Sequence, residues 1–475
     1  MYNRFFIIIH LIGICISQNI FTEYVVNNGD TLDVFSYQVP SSYSEDEAHP
    51  LLVAFHQWGG NQNSPYNTTF DEEAEMRNWF FLSPYGGASN NYNHQEAQDY
   101  TKQAILWLSE NYSIDPTRIY MVGGSMGGAA GAIYANNHLN PKEPMVAATA
   151  SASGILDCER RAIEMDGNNS MIEWFGGNWD EVPFEYHRNS AVYFADSTQS
   201  MHYNLQHLPL YLDFGITEPH RTHAEDLYDL IENYNNNMWI DTEPTGSHGY
   251  PVFDEYHVCD WLNQYSLDYL DEPQQPYSVN VNLDEPSRAY WIEATNQFAN
   301  NQFIRINAHW FQSDGRTIEN IIIHQINNSD SLILHILDET IEDFIVTVND
   351  SINLGFSGSI FNGDNLINIE IQNSIDCEID YMISDNIIWL ETINSTCNNE
   401  GLDLFFEFSM LPDIYDDINQ DGIWDVLDII LVVGYIMDTT FLNENQQLFA
   451  DLNNDGIINV LDVVEIINLI LNNRG

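Results

Sequence analysis

The feature that most restricts the fold is a twelve-residue pattern that occurs twice near the end of the 475-residue chain. The first copy begins at Asp417 and the second at Asp451, 34 positions later. In both copies, side chains with oxygen atoms stand at positions 1, 3, 5, 9 and 12, and a glycine stands at position 6, where a Ca²⁺-binding loop turns sharply. Position 7 of such a loop contributes its backbone carbonyl. Two copies in register therefore predict a small calcium-binding domain.

We expect two structural Ca²⁺ ions, one in each loop. The predicted ligands are Asp417, Asn419, Asp421, Ile423, Asp425 and Asp428 in the first loop, and Asp451, Asn453, Asp455, Ile457, Asn459 and Asp462 in the second. Each loop runs into an apolar segment that predicts a helix, at 426–437 and 460–471. No clear helix precedes either loop, and position 12 is Asp where an EF-hand has Glu, so an ordinary paired EF-hand fits less well.

The whole tail, residues 411–475, resembles a type I dockerin, the module by which secreted polysaccharide-degrading enzymes dock onto cohesin domains. The segment from Ala450 to Asp462 is especially close to the pattern of that family. Loop positions 10 and 11, which help to select the cohesin in well-studied dockerins, are Val and Leu in both copies, whereas a hydroxyl residue is common in the family. The resemblance implies calcium binding and a cohesin partner, without indicating which cohesin.

A second motif stands in the N-terminal half of the chain. Gly123-Gly124-Ser125-Met126-Gly127 matches the pattern G-x-S-x-G. It follows an apolar run at 118–122 that predicts a strand, and it precedes a run of small residues that predicts a helix. In this context the serine occupies a tight turn between strand and helix, where neighbouring side chains would clash. A plain glycine turn is the alternative, but the flanking elements favour Ser125 as a nucleophile.

Strand-like and helix-like segments alternate from about residue 24 to residue 270, which predicts an α/β sheet covered by helices. The predicted strands lie at 51–55, 79–82, 118–122, 145–152 and 208–214, and the predicted helices at 94–112 and 129–139. The stretch from Asp115 to Gly128 resembles the α/β-hydrolase superfamily. It is most similar to prolyl-oligopeptidase-like hydrolases and to secreted feruloyl, acetylxylan and polyhydroxyalkanoate esterases.

This resemblance implies an acid, a base and an oxyanion loop. Glu218 follows a strand and a glycine in the position of the acid, with Asp213 as its rival, and His248 stands in the family's glycine-flanked loop of the base. The backbone N–H of Met126 would help to bind the oxyanion, together with that of Gln57 or Trp58. His56 is expected to be a core histidine, because the base of this fold comes last in the chain, and His257 and Asp226 remain further alternatives.

The resemblance implies a serine carboxylic-ester hydrolase that works through an acyl-enzyme without a catalytic cofactor. The dockerin-like tail indicates acetyl or feruloyl esters of polysaccharides as substrates. The alternatives are a prolyl-oligopeptidase-like peptidase, which normally has a propeller before the hydrolase domain, and a non-catalytic carbohydrate-binding or scaffold protein. Four aromatic residues are candidates either for lining a pocket or for simple packing, namely Trp58, Trp174, Phe175 and Trp179.

The composition bounds the partners and the domain count. With 13 Lys and Arg against 71 Asp and Glu, the net charge of -58 disfavours nucleic acid and anionic membranes, while 44% hydrophobic residues indicate a folded chain. We predict a multidomain protein with an α/β-hydrolase domain, a β-sandwich-like middle domain and a small α-helical calcium-binding domain. The predicted boundaries are 1–17 for a signal peptide, 18–272, 277–410 and 411–475. Tyr290, Trp291 and Trp310 are interpreted as core or edge residues of an antiparallel sandwich, with sugar binding as the alternative.

The N-terminus predicts export from the cell. Arg4 precedes a short apolar stretch, and small residues at Cys15 and Ser17 suit cleavage before Gln18, although a membrane anchor or a lipid-modified Cys15 are weaker alternatives. The predicted location is therefore extracellular or attached to the cell surface, with no membrane span in the mature chain. Four cysteines would remain in an oxidising compartment, and the preferred pairs are Cys158 with Cys259 and Cys377 with Cys397, with free thiols as the alternative.

Overall fold

The computed structural model describes most of the N-terminal two thirds of the chain and parts of the remainder. The described residues are 19–166, 169–244, 246–267, 275–312, 318–336, 343–348, 353–358, 361–362, 365–366, 368–373, 380–384, 387–391, 402–409, 418, 426–437, 439–442, 446–447, 450 and 457–472. The predicted signal peptide at 1–17, Cys377 and Cys397 lie outside them. The chain divides into two compact units, Met1–Ile360 with Asn373–Leu404 and Phe361–Gln372 with Phe405–Gly475. The predicted domain boundaries remain predictions.

The larger unit contains an eight-stranded sheet. Its strands are β1 (Ile20–Asn27), β2 (Asp30–Gln38), β3 (His49–Phe55), β4 (Phe80–Pro84), β5 (Ile114–Gly124), β6 (Ala148–Ala152), β7 (Leu210–Gly215) and β8 (Met238–Glu243). They lie in the order β1-β2-β4-β3-β5-β6-β7-β8. Only β1 with β2 and β2 with β4 pair antiparallel, whereas all later neighbours are parallel. This strand order confirms the predicted α/β-hydrolase fold.

Helices cover both faces of this sheet. They are α1 (Phe70–Met76), α2 (Gln95–Asn111), α3 (Met126–Asn137), α4 (Cys158–Met165), α5 (Ile172–Phe175), α6 (Pro183–Arg188), α7 (Arg221–Ile231) and α8 (Glu255–Leu262). Strand β3 is buried along its whole length, as its unbroken apolar run predicts for a parallel strand between two helical layers. Leu51, Val53 and Phe55 join one core cluster with residues of α2, α3 and α7. Leu52 and Ala54 join another with residues of α1 and α8.

The middle of the chain consists of short strands in separate sheets. They are β9 (Ser278–Leu283), β10 (Arg288–Ala289), β11 (Ile292–Ala294), β12 (Ile304–Gln312), β13 (Ile318–Asn327), β14 (Ser331–Ile336), β15 (Asp343–Val348), β16 (Asn353–Gly358), β17 (Phe361–Asn362), β18 (Asn365–Leu366), β19 (Asn368–Asn373), β20 (Asp380–Ser384), β21 (Ile387–Glu391) and β22 (Leu402–Ser409). One sheet has the order β10-β11-β14-β16-β21-β20, and the other contains β15, β13, β12 and β9 as neighbours. Trp291 and Trp310 are buried with their ring centroids 5.3 Å apart, as the core prediction requires.

The prediction that the middle region is antiparallel was wrong for two strand pairs. β13 pairs parallel with β15, and β14 pairs parallel with β16. Consecutive strands β13, β14, β15 and β16 alternate between the two sheets. Between β13 and β15, which share one sheet, the chain passes through β14 in the other sheet. Because the chain reverses direction at each of these steps, β13 and β15 run parallel, and the same holds for β14 and β16. Alternating apolar residues predict strands but carry no information about which sheet a strand joins.

Polar and apolar contacts join the middle region to the α/β part within the larger unit. Asp284, which follows β9, accepts a hydrogen bond from Arg188 Nε at 2.8 Å. The amide of Asn204 donates to the carbonyl of Asn282 at 2.9 Å and accepts from its backbone N–H at 2.8 Å. The ring of Phe184 lies 4.9 Å from that of Phe303. Since these groups are largely buried, the two regions share a continuous interior.

Among its described residues, the smaller unit has the helices α9 (Val426–Ile436) and α10 (Val460–Asn472). They share a core whose buried members are Ile418, Val432, Leu442, Ala450, Val463 and Ile466. Both helices begin where the sequence predicts, at position 10 of each predicted calcium loop. Among the described residues of the whole chain, no helix is long and apolar enough to cross a membrane.

The predicted Cys158–Cys259 disulfide is absent from the described structure. Both cysteines are free and buried. Cys158 lies in a cluster with Tyr92 and Met126, whereas Cys259 lies in a different cluster, with residues of α1 and α8. The pair was chosen because both cysteines belong to one predicted domain, but a shared domain does not bring two Cα atoms within the few ångströms that a disulfide needs.

Candidate active site

The candidate nucleophile stands at the turn between β5 and α3. Ser125 has φ 56° and ψ −120°, a conformation that residues other than glycine rarely adopt. A Cβ on Gly123 would collide with the backbone of Gly127, and a Cβ on Gly127 would collide with the carbonyl of His56. The glycines of the motif therefore allow the strand, the turn and the helix to come into contact at this point. The backbone of Ser125 is held by Ala152, whose carbonyl accepts its N–H at 2.8 Å.

The candidate base stands in the loop between β8 and α8. His248 Nε2 lies 2.8 Å from Ser125 Oγ, and the imidazole is 39% exposed, so a substrate can approach it. This loop packs directly on the turn of the nucleophile, because a Cβ on Gly124 would collide with the backbone N of Tyr250. Gly249 has φ 73°, which explains why glycine follows the histidine.

The candidate acid stands just after β7. Glu218 Oε2 lies 3.0 Å from His248 Nδ1 and accepts a second hydrogen bond from the backbone N–H of His220 at 3.2 Å. Its side chain is only 2% exposed. A Cβ on Gly215 would collide with the carbonyl of Ser247, so the glycine at the end of β7 lets the loop of the base approach the turn of the acid. Three side chains distant in sequence therefore meet in one hydrogen-bonded chain.

The order of these contacts fixes the direction in which a proton can move. When Nδ1 of His248 carries the proton, it donates to the carboxylate of Glu218, and the lone pair on Nε2 faces the hydroxyl of Ser125. The hydroxyl then donates to the imidazole. The arrangement can raise the nucleophilicity of Ser125 and store the positive charge next to a buried carboxylate.

Backbone N–H groups for a developing oxyanion lie on two segments. Met126 is the first residue of α3, so its N–H has no acceptor within the helix and lies at the positive end of the helix dipole. Gln57 and Trp58 stand in the loop after β3. Gly59 N–H donates to the carbonyl of Ser89 at 2.7 Å, and Gly60 N–H donates to that of Gln57 at 2.8 Å, so this loop is internally tied.

His56 holds the same loop and is not part of the proton chain. Its side chain is buried, with Nδ1 2.8 Å from the carbonyl of Gln57 and Nε2 2.8 Å from that of Tyr85. These contacts agree with the prediction of a core histidine. A base would need a free ring nitrogen directed at the nucleophile.

The structure places the other sequence candidates away from Ser125 or in different contacts. Asp226 forms an ion pair with Arg160 at 2.7 Å, and His257 lies on α8 against the rings of Tyr211 and Trp239. Asp213 is buried at the end of β7, where its backbone carbonyl accepts a hydrogen bond from Ser153 N–H. Burial, with Asp241 on the neighbouring strand, raises the pKa of Asp213 to about 7.

The four aromatic candidates fall into two groups. Phe175 is buried, and Trp174 and Trp179 pack partly buried around the cluster that contains Met126. Trp174 also stacks on His94, with their ring centroids 4.8 Å apart. Trp58 differs, because it is 59% exposed on the tied loop after β3. Packing accounts for the first three, whereas Trp58 has a large apolar surface open to a ligand.

A second Ser-His-Glu set lies in the middle region. Ser357 Oγ is 2.7 Å from His335 Nδ1, and His335 Nε2 is 2.8 Å from Glu293 Oε2. Ser357 stands inside strand β16, directly opposite His335 on β14, and not at the N-terminus of a helix. The three residues are cross-strand neighbours on one sheet face, an arrangement that lacks the strand-turn-helix setting of Ser125.

One cluster of possible metal ligands lies beside the candidate acid, but its chemistry does not suit a metal ion. Glu164, His220 and His223 bring their ligand atoms within 4.8 Å of one another. His223 Nδ1 accepts a hydrogen bond from Asp157 N–H at 3.2 Å, and burial lowers the pKa of this histidine to about 3. The single proton of the neutral ring must therefore be on Nε2, the atom that faces Glu164 at 3.9 Å. A protonated nitrogen has no lone pair for a metal.

The predicted calcium loops are described only at their ends. Asp417, Asn419, Asp421, Ile423 and Asp425 of the first loop, and Asp451, Asn453 and Asp455 of the second, lie outside the described residues. Asp428 and Asp462, at position 12 of each loop, are both fully buried in the first turn of α9 and α10.

The described end of the second loop caps the N-terminus of α10 with hydrogen bonds. Asn459 Oδ1 accepts from Leu461 N–H and Asp462 Oδ2 accepts from Asn459 N–H, both at 2.8 Å. The amide of Asn459 also donates to the carbonyl of Ile457 at 2.8 Å. Position 9 of a Ca²⁺ loop often reaches the ion through a water, so this capping role suits it. Buried carboxylates at equivalent positions and an all-oxygen donor set fit Ca²⁺.

Two structural contributors to the site were missed in the sequence. Ser153 follows β6 and accepts a hydrogen bond from Gly249 N–H at 3.1 Å. The hydroxyl of Tyr250 donates to the carbonyl of Phe55 at 2.7 Å beneath the turn of the nucleophile. Neither residue belongs to a recognisable motif. Their roles depend on which strand ends lie side by side, and a single sequence does not give that information.

The family comparison concerns the tail. Residues 415–471 match the family model of the dockerin type I domain, which confirms the predicted likeness for that part of the chain. Domains of this type bind calcium and dock onto cohesins. No curated protein matches this chain in sequence.

Solved structures resemble about half of the chain. The chain is 13% identical to FphF, a fluorophosphonate-binding serine hydrolase of Staphylococcus aureus, with a TM-score of 0.41 over 52% of this chain and 98% of that chain. It is 16% identical to a ferulic acid esterase, with a TM-score of 0.40 over 52% and 97%. It is 15% identical to an esterase of Pyrobaculum calidifontis, with a TM-score of 0.39 over 52% and 85%.

Proposed function

We propose that this protein is a serine hydrolase that cleaves carboxylic esters through an acyl-enzyme. The observation that carries the proposal is the hydrogen-bonded chain from Ser125 Oγ through His248 to Glu218, with distances of 2.8 and 3.0 Å. Further support comes from the strained backbone of Ser125 and from its position at the N-terminus of α3, where a developing negative charge is stabilised. Met126 N–H, with that of Gln57 or Trp58, is the proposed oxyanion hole.

The geometry supports a two-step reaction. Ser125 Oγ bonds to the acyl carbon while its proton moves to His248 Nε2, and the carbonyl oxygen becomes an anion that the backbone N–H groups bind. The bond to the leaving alcohol then breaks, and His248 returns the proton to the alcohol oxygen. Water attacks the acyl-enzyme in the same way, giving the carboxylic acid and the free serine. Glu218 keeps the imidazole oriented and stabilises its positive charge throughout.

The proposed substrates are acyl groups, such as acetyl or feruloyl, on polysaccharides. The dockerin type I match supports this setting, since such modules connect secreted enzymes to polysaccharide-degrading assemblies. The exposed ring of Trp58, on a tied loop beside the proposed oxyanion hole, suits the apolar face of a sugar or an aromatic acyl group. Removal of an acyl ester needs only the proposed triad and the oxyanion hole, with no cofactor in the chemical step.

We further propose that the protein is secreted and that two Ca²⁺ ions hold the C-terminal domain in the form that binds a cohesin. Asp428 and Asp462 would bind the ions together with the other predicted loop ligands. Calcium would neutralise the carboxylates that converge on each site. The loops would therefore fold when the metal binds. The charge of -58 is scarcely altered by two ions, so their effect must be local.

Steady-state kinetics of two serine variants test the proposed nucleophile. Ser125→Ala should lower kcat for 4-nitrophenyl acetate by about a million-fold, as in other serine hydrolases whose triad is broken. Ser357→Ala is the matched control, because Ser357 also contacts a histidine that contacts a glutamate. Loss of activity in Ser357→Ala with full activity in Ser125→Ala would transfer the chemistry to the middle region.

A substrate panel separates the candidate activities. Acetylated and feruloylated oligosaccharides should be cleaved faster than aminoacyl 4-nitroanilides. Faster cleavage of the nitroanilides would instead identify a peptidase. A folded protein that hydrolyses neither class and fails to react with a fluorophosphonate would be a binding or scaffold protein.

A further inference from the structure

Residues 152–155, at the end of β6 and just after it, touch all three loops that carry the proposed triad. Ala152 accepts the backbone N–H of Ser125 at 2.8 Å, and Ile155 donates its N–H to the carbonyl of Ser125 at 3.2 Å. Ser153 donates its N–H to the carbonyl of Asp213 at 2.8 Å, at the end of the strand that precedes Glu218. The hydroxyl of Ser153 accepts the N–H of Gly249 at 3.1 Å, next to His248.

Within this turn, Ser153 has an unusual backbone. Its φ is 49°, in the left-handed region that L-residues other than Asn and Asp seldom adopt, and the residue is 99% buried. Glycine adopts this conformation without strain, so a serine here needs another reason. The hydrogen bond from Gly249 supplies one, since glycine has no hydroxyl to accept it. Strain that persists beside a reactive centre indicates a functional constraint.

The geometry points to Ser153 as a positioning residue that holds the imidazole of His248 over Ser125. The inference rests on the proposed function. Glu218 restrains the ring of His248 through Nδ1, but the side chain is 39% exposed and its loop contains glycines on both sides, at 246 and 249. The contact from Ser153 Oγ to Gly249 N–H fixes the backbone one residue after the histidine. The backbone N–H of Ser153 also donates to the carbonyl of Asp213, so Ser153 links the loop of His248 to β7, the strand that precedes Glu218.

This arrangement predicts a separation of stability from activity. Ser153→Gly removes the hydroxyl and also relieves the strained backbone, so the two effects on stability oppose each other. The imidazole loses its fixed distance to Ser125, and small displacements of a catalytic group lower rates steeply. We expect kcat for 4-nitrophenyl acetate to fall at least about tenfold, with KM within about twofold and Tm within about 3 °C of the parent.

The experiment compares Ser153→Gly and Ser153→Ala with Asn28→Gly. Asn28 also has a positive φ, 51°, but it lies in the exposed turn between β1 and β2, so the same replacement by glycine is made at a left-handed residue away from the proposed triad. Active sites are counted by fluorophosphonate titration so that kcat refers to folded, reactive molecules. Both Ser153 variants should be titrated fully but labelled more slowly, whereas Asn28→Gly should match the parent.

Three results would overturn the inference. They are a parent-like kcat in both Ser153 variants, a loss of activity in Asn28→Gly equal to that in Ser153→Gly, or a fall in Tm above about 10 °C in both Ser153 variants, which would make the hydroxyl a structural group. Failure of the proposed function gives a different result, because the parent protein itself would then hydrolyse no ester and bind no fluorophosphonate.

Discussion

At the scale of single residues, two neighbouring carboxyl groups have different roles: that of Glu218 belongs to the proposed triad, and that of Asp213 affects stability. Glu218 and Asp213 are both buried carboxyls near the end of β7, yet only Glu218 contacts His248. The sequence contained both candidates, and spacing alone left them open. The turn after Gly215 decides between them, since it directs the side chain five positions after Asp213 toward the imidazole.

Asp213 should make the folded protein less stable as the pH rises. Burial, with Asp241 nearby, raises its pKa from 3.8 to about 7. The folded protein therefore keeps a proton on Asp213 that the unfolded chain releases above about pH 4, and this group's share of stability is lost as the pH rises through 7. Asp213→Asn should gain on the order of 2 kcal/mol relative to the parent between pH 5 and 8.

Urea unfolding at the two pH values measures this difference. Asp30→Asn, at an exposed carboxylate at the start of β2, is the control and should follow the parent. An identical pH dependence of the free energy of unfolding in Asp213→Asn and the parent would show that Asp213 ionises in the folded state as it does in water.

At the scale of secondary structure, the site is built where the ends of β5, β6, β7 and β8 lie side by side. Backbone approaches at Gly124 and Gly215 bring the three loops into contact. Continuous apolar runs predicted the buried strands of the sheet well, because runs such as 51–55 are typical of parallel strands. The apolar pattern did not predict the pairing of β13 to β16, because it does not show that these strands alternate between two sheets.

Tyr250 should stabilise the contact between the loop of His248 and the sheet. Its hydroxyl is buried and donates to the carbonyl of Phe55 at the end of β3. Tyr250→Phe removes that donor while keeping the ring, and we expect it to lower the free energy of unfolding by about 1–2 kcal/mol. Chemical denaturation of both proteins measures the change.

Tyr24→Phe supplies the comparison for this substitution. Tyr24 is 52% exposed on β1, so its hydroxyl is available to water in the folded and unfolded states. Equal stabilities of Tyr250→Phe and Tyr24→Phe would mean that the contact with Phe55 contributes nothing measurable.

At the scale of the whole molecule, the chain joins an α/β-hydrolase fold, a strand-rich middle region and a dockerin type I domain. The duplicated loops made the last of these predictable, because metal ligands must stand at fixed spacings. Disulfide pairing was not predictable in the same way, as the free and buried Cys158 and Cys259 show. The high negative charge spreads over all parts and indicates solubility more than a specific partner.

Removal of calcium should affect the tail and leave the proposed esterase activity intact. The predicted ligands of the first loop include four Asp side chains, so without metal their repulsion should loosen the start of α9. We expect a chelator to reduce helical circular dichroism of the intact chain, with kcat for 4-nitrophenyl acetate unchanged within about twofold.

Calorimetric titration with Ca²⁺ locates the effect. The parent should bind two ions, and Asp462→Asn should bind one with high affinity, because position 12 contributes directly to the second site. Unchanged dichroism after chelation together with unchanged stoichiometry in Asp462→Asn would exclude a structural role of calcium in the tail.

Mass spectrometry of the protein after reaction with a fluorophosphonate tests the central claim most directly, since it identifies the reactive atom. The account predicts one adduct per chain, located by peptide mapping on Ser125, and no adduct in Ser125→Ala. An adduct on Ser357 or another residue, or ester hydrolysis that continues at full rate while Ser125 stays unmodified, would contradict it.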